Sequence, residues 1–190
     1  MVDIFRIEIR VDVATHIASL GFEQALTGEL RHDVQCHLMM GERVYGVYEE
    51  GRLMGFAIFD IFAEVLYLSG IILMPEMQGK GVAGQVVRFV QEASGTRYLA
   101  LRTQSLRMWV AGKNMCREWY PCVQPNDGML HILGLEIARY LNMTKTIEPG
   151  CYGGPLYGNK PVYRDPQLQA WWDSICNFER GDAVLCVGSF

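Results

Sequence analysis

The segment that most constrains this chain runs from residue 64 to residue 95. An apolar stretch, Val65-Leu66-Tyr67-Leu68-Ser69-Gly70-Ile71-Ile72-Leu73, stops at Pro75. Gln78-Gly79-Lys80-Gly81-Val82-Ala83-Gly84 follows, and then Val82, Val86, Val87, Phe89 and Val90 recur at helical spacing. That order predicts a buried strand over 64–74, a glycine turn, and a helix over 81–93 ending near Ser94-Gly95. Ser69-Gly70 inside the strand predicts a bulge or a close backbone approach. Glycines at alternate positions let successive backbone N–H groups converge without obstruction from Cβ atoms. A helix start adds unpaired N–H donors and partial positive charge, so the turn is suited to seat a pyrophosphate, with Lys80 beside it.

Two common phosphate loops do not fit. A Walker A loop needs Lys followed by Ser or Thr after its last glycine, and Lys80-Gly81-Val82 supplies neither. The string Gly79-Lys80-Gly81-Val82-Ala83-Gly84 matches G-x-G-x-x-G. It nevertheless follows a hairpin deep in the chain, and no acidic residue closes a second strand at 95–101, as a dinucleotide site requires.

The flanking sequence predicts the rest of an α/β chain. Residues 4–11 alternate as a strand does, and 14–30 form one helix broken at Gly21 or two short ones. Residues 43–49 and 52–61 pair as a hairpin across Glu50-Gly51. Residues 98–102 are a strand, 106–119 a helix with a weak point at Gly112, 120–123 a strand and 128–141 an amphipathic helix. Residues 146–166, with their glycines, prolines and three tyrosines, form an ordered loop without regular elements. A helix over 167–175 and a closing strand over 183–187 complete the chain.

At 190 residues, half of them hydrophobic, one domain over 1–190 is expected, with its core at about 4–123 and an elaboration at 124–190. A net charge of -4 gives no basic excess for nucleic acid or an anionic membrane. No run approaches a membrane span, and charges interrupt Met1-Val2-Asp3-Ile4-Phe5-Arg6 before a secretory signal could form. A cytoplasmic location is therefore expected, with the six cysteines as free thiols and none a nucleophile. Cys36, His37 and His32 lack the second cluster that a four-ligand metal set needs, so no metal is expected.

Gln78-Gly79-Lys80-Gly81-Val82-Ala83 resembles the Q/R-x-x-G-x-G/A signature of the GNAT N-acetyltransferase superfamily, and Pro75-Glu76-Met77 resembles its P-x-Y/F lead-in. Residues 98–109, YLALRTQSLRMW, resemble the strand-to-helix passage of members that carry RTQNP, with Ser105 where those members have Asn. The resemblance covers about 4–123. It implies a mixed, mostly antiparallel central sheet flanked by helices, with an irregular C-terminal extension. It also implies an acetyltransferase with acetyl-CoA as cofactor and an amine as acceptor. A second copy of the chain, as a homodimer, is a further partner considered.

By the same resemblance, Ile71, Ile72 and Leu73 offer backbone hydrogen bonds to the pantetheine arm. Gln78, Gly79, Lys80, Gly81, Val82, Ala83 and Gly84 hold the pyrophosphate, and Ser105 belongs with the cofactor-binding residues. Many members carry a catalytic Glu eleven residues before the signature glutamine. Here that position is Tyr67, and the nearest carboxylate is Glu64, so these two are the catalytic candidates. The position of the usual Tyr acid is Gly112. Tyr152 and Tyr157 are the candidates for the acceptor side, as part of a wall built by the 146–166 loop.

Overall fold

The computed structural model describes residues 2–22, 28–124, 128–156 and 159–190. The chain forms two compact units, Met1–Thr96 and Arg97–Phe190. Each is mixed α/β with flanking helices, and every strand pairing described within a unit is antiparallel. The fold is thus the expected α/β class with an open, mostly antiparallel arrangement.

The first unit holds β1 (Asp3–Arg6), α1 (Val11–Gly21), α2 (Gly28–Met40), β2 (Arg43–Glu49), β3 (Arg52–Phe62), β4 (Val65–Leu73) and α3 (Val82–Ser94). Its strands lie in sequence order. β2 and β3 turn at Glu50 and Gly51, with φ of 51° and 76°. Two left-handed residues are the pattern of a type I′ turn, whose twist matches the strands it joins. β3 and β4 turn at Ala63 and Glu64, because Phe62 pairs with Val65. The β3–β4 register shifts once: Ile58 faces Gly70 and Phe59 faces Leu68, which leaves Ser69 as the extra residue of a bulge.

Side-chain alternation along β3 sends Phe56 and Ile58 to one face, where they pack with Ala14 and Ile17 of α1. Ala18 of α1 and Val34 of α2 form a second cluster against Ile72. On the other face Tyr45 meets Phe59 and, from α3, Phe89, with ring centroids 5.9 and 6.2 Å apart. Val82, Val86, Val87 and Val90 of α3 are buried.

The second unit holds β5 (Tyr98–Thr103), α4 (Leu106–Met115), β6 (Glu118–Tyr120), α5 (Met129–Tyr140), β7 (Ile147–Glu148), α6 (Pro166–Ile175) and β8 (Ala183–Ser189). β8 is its spine. β5 pairs along residues 184–189, while β6 and β7 pair with residues 187–189 and 183–184. Asp165 caps α6 by accepting the N–H groups of Gln167 and Leu168, and Pro166 occupies the first turn, where no N–H is needed.

Several boundaries differ from the sequence reading. The first strand ends at Arg6 rather than residue 11, because α1 begins at Val11. α2 runs to Met40, ten residues beyond the predicted end. Its polar residues, His32, Gln35 and His37 among them, give no clear apolar stripe to read. The helix after Ser105 ends at Met115, and the strand predicted at 120–123 lies at Glu118–Tyr120. Among the described residues, the 146–166 span holds the two-residue strand β7 and, at Pro166, the first residue of α6.

Candidate functional site

The glycine turn of the first unit is built from β4 outward. Met74 N–H donates to the Met54 carbonyl at 2.8 Å, which ends the strand. Pro75–Met77 then make one 3-10 turn, with the Met77 side chain driven into the core. The Gln78 amide Nε2 donates to two carbonyls, those of Gly21 and Leu73, both at 2.9 Å. It thereby ties the end of α1, the end of β4 and the start of the loop together. Gly21 is what permits this junction. A Cβ there would lie 2.7 Å from Ile72 Cγ2 and 2.8 Å from the Leu73 carbonyl oxygen.

Gly79 and Gly81 take φ of 72° and 75°, a region that L side chains enter at a cost. Neither glycine is required by crowding, since a Cβ on either would meet nothing within 4 Å. The outer side of the loop is therefore open, and the backbone path alone calls for glycine. Gly81 is the N-cap of α3 but supplies no side-chain cap, and no acidic residue lies in the first turn. The N–H groups at the start of this 13-residue helix face no carboxylate of their own helix, and Lys80 is exposed beside them. An open, uncapped, positively biased helix start fits a pyrophosphate.

Ile71, Ile72 and Leu73 are half-buried on β4 and pair with Ala57, Phe56 and Gly55 of β3, one residue past the bulge. The two catalytic candidates sit differently. Glu64 is exposed in the β3–β4 turn. Tyr67 is 5% exposed within β4, opposite Asp60, with its ring 6.3 Å from that of Phe62.

The remaining candidates fall in the second unit. Ser105 is the N-cap of α4, and its carbonyl accepts the N–H groups of Met108 and Trp109. Its own N–H donates to Thr103 Oγ1 at 2.8 Å. Tyr152 holds its ring under the Arg102 guanidinium at 5.3 Å, and its N–H donates to the Gly181 carbonyl. Tyr157 lies outside the described residues.

Two residues that the sequence reading passed over fix the 146–166 loop. Gln104 is 2% exposed. Its Oε1 accepts the Leu156 N–H at 2.8 Å, and its own carbonyl accepts the Trp172 Nε1–H at 3.1 Å. Asp182, 1% exposed, accepts the N–H groups of Gly150 and Asn177 and a two-pronged pair from Arg180 at 2.6 and 2.7 Å. The Arg180 hydrogen bonds hold its carboxyl down at about 2, against the opposing pull of burial. A glutamine after a strand and an aspartate before one give no sequence signal that sets them apart from surface residues.

Gly112 is explained by packing. A Cβ there would overlap the Trp119 ring, so this position of α4 has no room for a side chain. Tyr120, on β6, shares a hydrogen bond of 3.0 Å with Thr146 Oγ1 and stacks on His131 at 5.1 Å. Among the described residues no group of three or more His, Cys, Asp or Glu could hold a metal ion. No helix among them is long and apolar enough to cross a membrane.

The family model described as the acetyltransferase (GNAT) family matches residues 12–111. Comparison with curated proteins gave no match. Among solved structures, the chain is similar to the ribosomal-protein-S18-alanine N-acetyltransferase of Escherichia coli. The identity is 14%, the TM-score 0.58, and the match covers 100% of this chain and 94% of that one. It is similar to a Bacillus subtilis acetyltransferase solved in complex with CoA, at 12% identity and TM-score 0.52, over 100% of this chain and 99% of that one. A GNAT family acetyltransferase of Elizabethkingia anophelis with acetyl-CoA bound gives 12% identity and TM-score 0.50, over 100% and 98%. At these identities the likeness is one of fold.

Proposed function

The chain belongs to the acetyltransferase (GNAT) family, and from that premise we propose that it transfers acetyl from acetyl-CoA to a primary amine by direct attack. The observation that carries this reading is the loop at Gly79 and Gly81. Two left-handed glycines lead into an uncapped helix start with open space around it. Its backbone N–H groups and Lys80 would hold the pyrophosphate, and the backbone of Ile71, Ile72 and Leu73 the pantetheine arm. Gln78 contributes by shape, since its side-chain amide is engaged by Gly21 and Leu73. Acetyl-CoA supplies the activated acetyl thioester.

The chain's own tasks are to place the amine and to remove its proton. Glu64 is the carboxylate assigned to the proton, through water, because it is the carboxylate nearest Tyr67 in sequence and stands exposed in the turn that leads into β4. Tyr152, held by Arg102, and Tyr157 are assigned to the acceptor wall, with the 146–166 loop pinned by Gln104 and Asp182. Cells holding acetyl-CoA in the cytoplasm would supply the donor there.

A second reading is an acyl-CoA-binding protein with little transfer, and one observation favours it. The position of the usual acid is Gly112, and Trp119 fills the space where a side chain would stand. The test is native mass spectrometry for CoA carried through purification, followed by an amine acceptor screen with a free-thiol readout. Bound CoA with turnover supports transfer. Bound CoA with no acceptor supports the second reading, and absence of any CoA binding overturns both.

A further inference from the structure

Gly70 is a glycine that neither backbone angle nor crowding requires. It does not take a positive φ. A Cβ there would meet nothing closer than 4.0 Å, the distance to His37 Cδ2 and to Ile58 Cδ1. The missing side chain leaves a gap on β4 beside the Ser69 bulge, and the His37 ring of α2 stands over it. Ser69 and Gly70 are only half-buried, so this part of the strand can be reached from solvent.

The imidazole over the gap is held in place but not satisfied. The end of α2 is clamped to β3 at two points. Glu42 N–H donates to Asp60 Oδ1 at 2.9 Å, and Gly41 lies so close to Ile58 that a Cβ there would overlap it. The Gly41 N–H donates in turn to the His37 carbonyl at 2.9 Å, which fixes the backbone that carries the ring. Yet His37 Nδ1 is buried without a hydrogen-bond partner. Buried polar atoms are nearly always paired, because an unpaired one has given up its water for nothing. Cδ2 faces Gly70, and a half-turn of the ring about χ2 exchanges Cδ2 with Nδ1. No hydrogen bond to Nδ1 opposes that turn, so the ring can present this nitrogen to the gap.

We propose that His37 is a catalytic residue of acetyl transfer, which accepts at Nδ1 the proton that the attacking amine sheds and passes it to the departing thiolate. The inference rests on the transfer reading above. In that reading the pyrophosphate sits at residues 78–84 and the pantetheine arm lies along Leu73, Ile72 and Ile71. The thioester is at the end of the arm remote from the pyrophosphate, so the same path along β4 brings it to Gly70 and Ser69. Glu64, through water, brings the amine to its neutral form. The amine nitrogen then bonds to the acetyl carbon as the C–S bond breaks. The proton it sheds goes to His37 and from there to the thiolate, so CoA leaves as a thiol and the imidazole is neutral again.

The test follows the imidazole itself, by NMR of the full chain with 15N-labelled histidine. His37→Gln identifies its signals, and circular dichroism reports whether that variant is folded. The chain has four histidines, so substituting His16, His32 and His131 assigns His37 by elimination if the variant does not fold. Acetyl-CoA and CoA are titrated separately, with affinities from isothermal titration. The His37 15N signals are expected to differ between the two complexes, because the complexes differ only at the acetyl end. With the amine that the acceptor screen yields, His37→Gln is expected to lower kcat about hundredfold and to keep acetyl-CoA affinity within twofold of wild type. Bound acetyl-CoA whose His37 signals match those of the CoA complex overturns the inference and leaves the transfer reading standing. So does a folded His37→Gln with wild-type kcat. Failure of the wild-type chain to bind acetyl-CoA overturns the transfer reading itself, and this role with it.

Discussion

Replacing Gly81 by alanine and by glutamate separates the two demands that the loop places on this position. An L residue held at φ of 75° costs about 1–2 kcal/mol. A Cβ there meets nothing within 4 Å, so that backbone strain is the whole stability cost of Gly81→Ala. Gly81→Glu carries the same strain but places a carboxylate at the N-terminus of α3, where the helix dipole returns about 0.3–1 kcal/mol. The glutamate variant should therefore be at least as stable as the alanine variant. Binding should show the opposite order. A carboxylate roughly 5 Å from one phosphate charge repels it by about 1 kcal/mol in water-like surroundings and about 3 kcal/mol at an effective dielectric near 20. That corresponds to a roughly five- to hundredfold weaker Kd for each charge so placed. Urea denaturation gives the stability order, and isothermal titration with acetyl-CoA gives the affinities of wild type and both variants. If Gly81→Glu binds acetyl-CoA within twofold of Gly81→Ala, the loop is not an anion seat and the assignment of residues 78–84 fails.

Gly112→Ala drives a methyl group into the Trp119 ring and should cost about 1–3 kcal/mol, seen as a lower urea midpoint; an unchanged midpoint refutes the packing account. Asp182 has its carboxyl pKa lowered from 3.8 to about 2 in the folded chain, so its contribution is complete above about 3.8 and is lost as pH falls through about 2. Asp182→Asn should thus be less stable at pH 7 and should lose less than wild type between pH 4 and pH 2; parallel urea midpoints at pH 7, 4 and 2.5 would reject this. Tyr152→Ala removes the ring beneath Arg102 and should raise the acceptor KM several-fold while sparing acetyl-CoA affinity. A loss of melting temperature with unchanged acceptor kinetics would make the 146–166 loop a structural strap.

What was legible in the sequence follows the range of the interaction that sets it. The β2–β3 turn was readable because Gly51 takes a positive φ freely, a local property, whereas the left-handed backbone of Glu50 is not written in its residue type. Ser69-Gly70 marked the bulge because a glycine inside an apolar strand run is itself a local signal, and the structure leaves Ser69 unopposed there. Gly79 and Gly81 were readable because their φ values demand glycine whatever surrounds them. By contrast, Gly21 read only as a helix interruption. Its real constraint is the close approach of Ile72 and the Leu73 carbonyl, some fifty residues away. α2 was missed beyond its first three residues because it presents polar residues without a clean stripe, and packing of Val34 and Leu38 decided the outcome.

The same distinction separates the two halves of the candidate site. A phosphate seat made of backbone N–H groups depends on φ angles, and φ preferences are written into residue type. Acid and base roles depend on where a side chain stands relative to residues far along the chain, and no single position records that. Gly112 shows the point. From sequence it is a missing tyrosine. In the fold it is the flat surface against which Trp119 lies, and Gly188 of β8 is held to the same requirement, since a Cβ there would overlap Trp119 as well. Two glycines thus make room for one buried indole, and restoring a tyrosine at 112 would require moving that indole first. Position 112 is thus given over to packing of the second unit.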